Sequence, residues 1–309
     1  MIEPVVVGLR LLQYLGAMLL MGASLFFLYS GGPAAPWTGM LTRSRRLLLI
    51  VTAAVLAVAS LSAVVAQSSL FAGSLAGGLD ADALRAVGFG MDLGKAALVR
   101  AAAAIIALAL LIILPVGRVS WMAIAALGTV ATVSLAWLGH AAASEGPLAS
   151  VHLASDILHV TAAAVWIGAL FGFLQLLLAC PRSEDDGQEV YAALHGFSGI
   201  GSAMVAILLL TGLINSWVLV GPDNIPGLWT TRYGQLLIVK IVFFGVMIGL
   251  ATANRFRLTP ALGDALCDEE PTRQMISSLR RSIALEMVLG IAVLFLVAWF
   301  GTMEPPAAM

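Results

Sequence analysis

The chain has 309 residues, 61% of them hydrophobic and 11% charged, with a formal net charge of −1 and a mean hydropathy of +1.01. That composition goes beyond what a soluble core needs and fits a polytopic helical membrane protein built from spans of about 20 apolar residues; the long unbroken apolar runs exclude the short alternating segments of a barrel. Near-neutral charge excludes nucleic acid as a partner, and the two cysteines, Cys180 and Cys267, have neither the number nor the spacing of a disulfide framework or a zinc site.

The first apolar run, Pro4 to Ser30, follows a start without the basic region of a secretory signal, since Glu3 stands where Lys or Arg would be expected, and is read as a retained span. Further runs are predicted from Leu47 to Gln67, Leu93 to Leu114 and Val119 to His140, completing an N-terminal half over residues 1–140. The C-terminal half, 141–309, holds Val151 to Ala179, Phe197 to Val220, Tyr233 to Ala253 and Ser282 to Gly301. Breaks such as "SGGPAAPW", "GPDNIPG" and "EEPTRQ" separate the runs where the chain leaves the bilayer. The expected fold is all-α: one integrated bundle of eight transmembrane helices.

Orientation follows from the distribution of Lys and Arg. With the N-terminus outside, the inner connections hold ten: Arg43, Arg45, Arg46, Arg118, Arg182, Arg255, Arg257, Arg273, Arg280 and Arg281. The outer connections hold three: Arg85, Lys95 and Arg232. The expected topology is therefore N-out and C-out. It puts His140, His152 and His159 near the outer face, with Glu145 in the connection between the fourth and fifth spans, and His195, Cys180 and Cys267 at the inner face. Both cysteines then face a reducing compartment.

The fifth span, "HLASDILHVTAAAVWIGAL", carries His152, Asp156 and His159 at i, i+4 and i+7, one narrow stripe of a helix. His159 would lie about 10 Å below His152 along the axis. The short turn "AAASEGPLAS" makes the fourth and fifth spans antiparallel neighbours and brings His140 to the same level. Three imidazoles and a carboxylate form a ligand set for a first-row metal, copper or zinc in particular. The alternative is wet interfacial tips for His140 and His152 and a helix-to-helix hydrogen bond for His159. Ionisable groups inside spans are functional candidates by default. Met18 and Met21 share one face of the first span; thioethers suit Cu(I), but Met is also a common gap-filler in packing.

Arg10, Arg100 and Lys240 lie inside spans. Either they snorkel to the headgroups, or they line a polar cavity and pair with Asp92, Asp156 or another carboxylate. Glu286, near the inner end of the eighth span, is expected to pair with Arg281 or Arg255; the other reading is a proton or cation path.

The C-terminal half resembles the copper-resistance D family (CopD/PcoD). The resemblance rests on an ordered set: Phe197-Ser198, Thr211-Gly212 with Asn215, Thr231 with Tyr233-Gly234 and Lys240, Asn254-Arg255, Glu286 and the closing Pro305-Pro306. Trp166 and Gly168 in "HVTAAAVWIGAL" match that family's fifth span. His195 departs from it, standing where an Arg would precede the Phe-Ser pair, and no fused periplasmic copper-binding domain is expected. The resemblance implies a multi-pass protein of the bacterial inner membrane serving copper homeostasis. It would take Cu(I) or Cu(II) from a periplasmic carrier resembling CopC and pass it across the bilayer or hold it there.

On that reading His140, His152 and His159, with Asp156, receive the ion, and Cys180 accepts Cu(I) at the inner exit. Asn215, Lys240, Arg100, Asn254, Arg255 and Glu286 are pathway or structural polar groups. No P-loop pattern and no Cys-Pro-Cys is present, and no enzymatic activity is expected. Two other functions stay open: a redox protein with haem b between His140 and His159, and a copper sensor or scaffold that transports nothing.

Overall fold

The computed structural model describes residues 2–30, 40–115, 117–139, 148–179, 184–266 and 268–308. Eight helices are long and apolar enough to cross a membrane. We number them α1 (Ile2–Ser30), α2 (Met40–Phe71), α3 (Asp92–Ile113), α4 (Arg118–Val133), α5 (Ala149–Ala179), α6 (Glu184–Val220), α7 (Arg232–Ala253) and α8 (Glu269–Phe300). No strand occurs among the described residues. With eight crossings both termini lie on one face, called here the terminal face.

Hydropathy located the spans but not their ends. Several helices run well past the apolar stretch: α8 begins at Glu269 and not near Ser282, and α6 begins at Glu184 and not near Phe197. Hydropathy marks only the turns that lie in lipid, whereas a helix continues into water for as long as its backbone bonds are made. The fourth span differs the other way, since α4 ends at Val133 and tightens into a 3-10 segment, Ser134–Leu138. Short helices at Leu75–Gly78 and Ala81–Arg85 fold the α2–α3 connection, and Gly227–Thr230 precedes α7. The N-cap of Leu75–Gly78 is Ser74 and that of Ala81–Arg85 is Asp80, each accepting hydrogen bonds from the first turn. α7 continues through a π-helical turn, Asn254–Leu258, into Thr259–Ala265.

α1 and α5 form the centre. α1 packs on α2, α4, α5 and α8, and α5 packs on α1, α6 and α8. Their crossing is set by glycines. A Cβ on Gly22 would overlap the Ala164 carbonyl oxygen and come within 2.8 Å of Gly168 Cα, and one on Gly168 would lie 2.6 Å from Ala23 N. Gly172 leaves room for the Phe26 ring, and Gly128 of α4 lies against the α1 backbone at Met21, where a Cβ would lie 2.5 Å from its nitrogen. In lipid, where apolar burial between helices gains little, such close approach supplies the van der Waals contact that holds helices together. Met18 and Met21 are buried in this contact, 2% and 4% exposed, and serve as packing.

Two of the three basic residues within spans, Arg100 and Arg10, find neutral acceptors. Arg100 is fully buried; its Nε donates to Ser134 Oγ at 3.0 Å, its Nη2 to the Ser134 carbonyl at 2.9 Å, and its Nη1 to Gln13 Oε1. This ties α3 to α1 and to the end of α4, so Arg100 neither snorkels nor pairs with a carboxylate. Asp92 instead bonds Lys95 on its own first turn at 2.9 Å. Arg10 Nη2 donates to the Leu138 carbonyl at 2.8 Å. Two arginines of the opposite face cap helix ends: Arg46 reaches the Leu111 and Ile112 carbonyls at 2.6 and 2.8 Å, and Arg280 the Leu177 carbonyl at 2.8 Å. The last carbonyls of a helix lack intrahelical donors, and a cation satisfies them while complementing the helix dipole.

Replacing Gly168 by Leu is expected to destabilise the bundle by about 3 kcal/mol, the upper range for overpacking, and to lower the melting temperature of the detergent-solubilised protein by several degrees. Gly245→Leu, at a position with nothing within 4 Å of an added Cβ, is expected to leave it unchanged. Equal melting of the two variants would show that the crossing is not tight.

Candidate functional site

The end of α5 at the terminal face carries the stripe anticipated from spacing, and each of its members is held differently. His152 is buried, 1% exposed. Asp156 lies one turn deeper, where its Oδ1 accepts from Asn215 Nδ2 of α6 at 3.2 Å. His159 follows, with Nδ1 2.9 Å from Thr211 Oγ1 of α6. Ser155 Oγ adds a bond to the Thr211 carbonyl at 3.2 Å. Thr211 and Asn215, four residues apart on α6, thus face Asp156 and His159, three apart on α5. Two polar stripes meet across one helix pair.

Thr211 decides the His159 tautomer. Its hydroxyl donates to the Ile207 carbonyl of its own helix at 2.6 Å, so toward the imidazole its oxygen acts as an acceptor. Nδ1 must then carry the proton, and the lone pair falls to Nε2. A hydroxyl that fixes one ring nitrogen as donor prepares the other as a ligand, the arrangement that commonly supports metal-binding histidines.

His159 also lines a cavity of about 210 Å³ between α5, α6, α7 and α8. Lys240 of α7 stands in its wall, and its Nζ lies 5.9 Å from the Phe300 ring centroid. Apart from these groups and Ser216 the lining is apolar or aromatic, including Trp166 and Phe244.

A second cavity, about 250 Å³, lies in the same cleft nearer the opposite face. Trp166 borders both, about 10 Å further along α5 than His159. Into the second cavity face Glu286 of α8, Asn254 and Arg255 of the π-helical turn, and Ser198 and Ser202 of α6. The expected pairing of Glu286 with Arg281 or Arg255 is not made. Its Oε1 accepts from Trp166 Nε1 at 2.7 Å and its Oε2 from Asn254 Nδ2 at 3.2 Å. Arg255 Nη1 instead donates to the Ser198 carbonyl at 3.2 Å and to Ser202 Oγ. Glu286 stands mid-helix because α8 extends beyond the apolar run; Arg281 is exposed five residues earlier.

Not every predicted group is in view. His140, Glu145, Cys180 and Cys267 lie outside the described residues. A Cβ on Gly139 would lie 3.9 Å from Asp156 Oδ2, so this residue stands at the level of the carboxylate. Among the described residues no three His, Cys, Asp or Glu side chains converge to hold a metal. His195 is exposed and stacks on Tyr191, 5.7 Å between centroids. Thr211 and Trp166 were legible only as matches to a family pattern. Reading the Thr211/Asn215 spacing against the Asp156/His159 spacing would have singled out the pair of stripes.

The family model described as copper resistance protein D matches residues 191–300, and the one described as copper resistance protein D-like, N-terminal domain, matches residues 1–151. The chain is 35% identical over 313 residues to copper resistance protein D of Pseudomonas syringae pv. tomato, covering 98% of this chain and 97% of that protein. It is 31% identical to the inner membrane protein YebZ of Escherichia coli (strain K12), over 58% of each chain. It is also 30% identical to the copper transport protein CutJ of Bacillus subtilis (strain 168), over 55% of this chain and 28% of that one. No solved structure matches.

Thr211→Val removes the acceptor of His159 Nδ1 and leaves a buried donor unmet, a cost of about 1–3 kcal/mol. Nitrogen NMR of labelled imidazoles is expected to show a single Nδ1–H tautomer for His159 in the parent and in Thr211→Ser. In Thr211→Val the tautomers should mix; an unaltered spectrum there would refute the assignment.

Proposed function

The chain belongs to the copper resistance protein D family, and from that premise we propose that it is a bacterial inner-membrane copper transporter whose α5 histidines receive the ion at the periplasmic face. The observation that carries this reading is the His159 imidazole: Thr211 fixes its Nδ1 as a donor and leaves Nε2 to bind, and the ring lines a cavity inside the span.

The distribution of Lys and Arg supports a terminal face that is periplasmic. Copper arrives there from a small carrier resembling CopC. His140 and His152 take it first, then Asp156 and His159, each step about one helical turn deeper. The approach of Gly139 to Asp156 supports a place for His140 at this entry. Asp156 offsets the charge of the arriving cation, and Asn215 keeps its carboxylate aimed. Lys240 raises the energy of a cation that lingers, and a transit site must bind strongly enough to admit an ion yet weakly enough to release it. Asn254, Arg255 and Glu286 line the continuation toward the cytoplasmic face, with Cys180 as a soft ligand for Cu(I) at the exit. The direction proposed is import. Arg100 belongs to the scaffold.

Proteoliposome uptake of copper tests the reading. His159→Ala is expected to lower the initial rate at least about tenfold, the scale of losing a preorganised ligand, while Gly245→Leu transports like the parent. Equal uptake by His159→Ala and parent would remove His159 from the path. An absorbance spectrum of the purified protein with a Soret band would replace copper by haem b as the group held.

A further inference from the structure

Two carboxylates lie within the membrane part of the cleft, and each is served by an asparagine in the same way. Asn215 donates to Asp156 and Asn254 donates to Glu286. In both asparagines the amide oxygen is buried without a hydrogen-bond partner among the described residues. A buried amide oxygen left unmet costs free energy, and its repetition beside two carboxylates points to a donor that comes and goes.

Glu286 is the more demanding of the two. It is 1% exposed, and its bonds come from two neutral groups, the Trp166 indole and the Asn254 amide. The cation nearest in the cleft, Arg255, lines the same cavity but is bonded to Ser198 and Ser202 of α6 and lies 5.0 Å over the Phe256 ring. On α8 itself Arg280 is committed to the Leu177 carbonyl and Arg281 is exposed. α5 presents Trp166 to the carboxylate, and Lys240 and His159 border the other cavity, beyond that ring. No ion pair to Glu286 occurs among the described residues. A lone carboxylate in such surroundings is costly when ionised, so it is neutral, or it has a cation beside it.

We propose that Glu286, with Asn254, is a proton-binding site that exchanges its proton against the cation passing through the inner cavity. This rests on the transport reading above and names its coupling ion. The step balances simply: the carboxylic O–H dissociates, the proton leaves toward the periplasmic side from which the metal comes, and the carboxylate then compensates the charge of the entering metal. When the metal departs to the cytoplasmic face, a proton from water on that face, reaching the inner cavity, returns to the carboxylate. One carboxylate serves either partner but not both, which makes the process an antiport.

The unmet Asn254 oxygen fits a proton. With its amide turned by 180°, that oxygen accepts from the protonated carboxyl, while the orientation in the structure donates to the carboxylate. Resident Cu(I) is disfavoured here, because hard oxygen donors suit it poorly, and the Trp166 and Asn254 N–H groups already take one lone pair on each carboxylate oxygen. Trp166 links the site to the path, since its ring separates the two cavities and its N–H is held by Glu286. The π-helical turn at Asn254 is an irregularity of the kind often found at functional sites.

Two measurements decide it. Infrared spectra of the reconstituted parent at neutral pH, without copper, are expected to contain the carbonyl band of a buried protonated carboxyl. The band should be missing in Glu286→Gln and shifted in Asn254→Ala; its persistence in Glu286→Gln, or its absence from the parent, overturns the site. In proteoliposomes containing a pH-sensitive dye, copper uptake by the parent is expected to drive protons the opposite way. Protons moved per copper should fall at least tenfold in Glu286→Gln, whatever happens to the copper rate, and return in Glu286→Asp. An unchanged ratio in Glu286→Gln overturns the antiport. A parent that moves no copper defeats both the transport reading and the antiport, while the infrared band still decides whether Glu286 holds a proton.

Discussion

The rest of the architecture depends on the contact between the backbones of α1 and α5 at Gly22 and Gly168. Neither glycine tolerates a Cβ, because the partner helix's main chain occupies that space. Helices in lipid are not driven together by the removal of apolar surface from water, so proximity itself must supply the attraction. With α5 clamped on α1, its other side is presented to α6 and α8. Asp156, His159 and Trp166 follow that helix into the cleft. α6 and α7 barely touch each other, and the two cavities occupy the space left between them.

Polar groups inside the bilayer part of the molecule have two fates. In the N-terminal half the capacity of Arg100 is absorbed by Gln13 and Ser134, and Arg10 is taken up by the Leu138 carbonyl. Each is a long donor satisfied by neutral acceptors on neighbouring helices, which locks geometry without creating a binding site. In the C-terminal half the groups beside the two carboxylates are only partly met. Among the described residues Asn215 and Asn254 keep an unmet oxygen each, and Lys240 stands in a cavity wall. Incomplete satisfaction costs stability, and a membrane protein tolerates it where ions or protons pass.

Much of this was readable in advance. The eight helices follow from apolar run lengths, since hydrocarbon admits only backbone that bonds within its own segment. The His152, Asp156 and His159 stripe follows from the helical period. What failed were inferences about partners. Glu286 was assigned to Arg281 or Arg255 on charge and sequence proximity, whereas it bonds Trp166 and Asn254. Arg100 was open to a carboxylate partner and instead joins Ser134 and Gln13. In both cases the charged residue nearest in sequence projects elsewhere, and an amide, hydroxyl or indole from a distant helix arrives first.

The sequence by itself determined that this chain spans a membrane as helices, where those helices lie, and that one of them carries a titratable stripe. These properties are local: they depend on run length and on 3.6-residue periodicity. Only the tertiary structure decided which groups face one another. The His159 tautomer is written by a hydroxyl 52 residues away, and Trp166 contacts a carboxylate 120 residues away. Such pairings depend on the depth and rotation of each helix. Those are fixed by where backbones can approach most closely, and two glycines on different helices reveal that only once they are seen in contact.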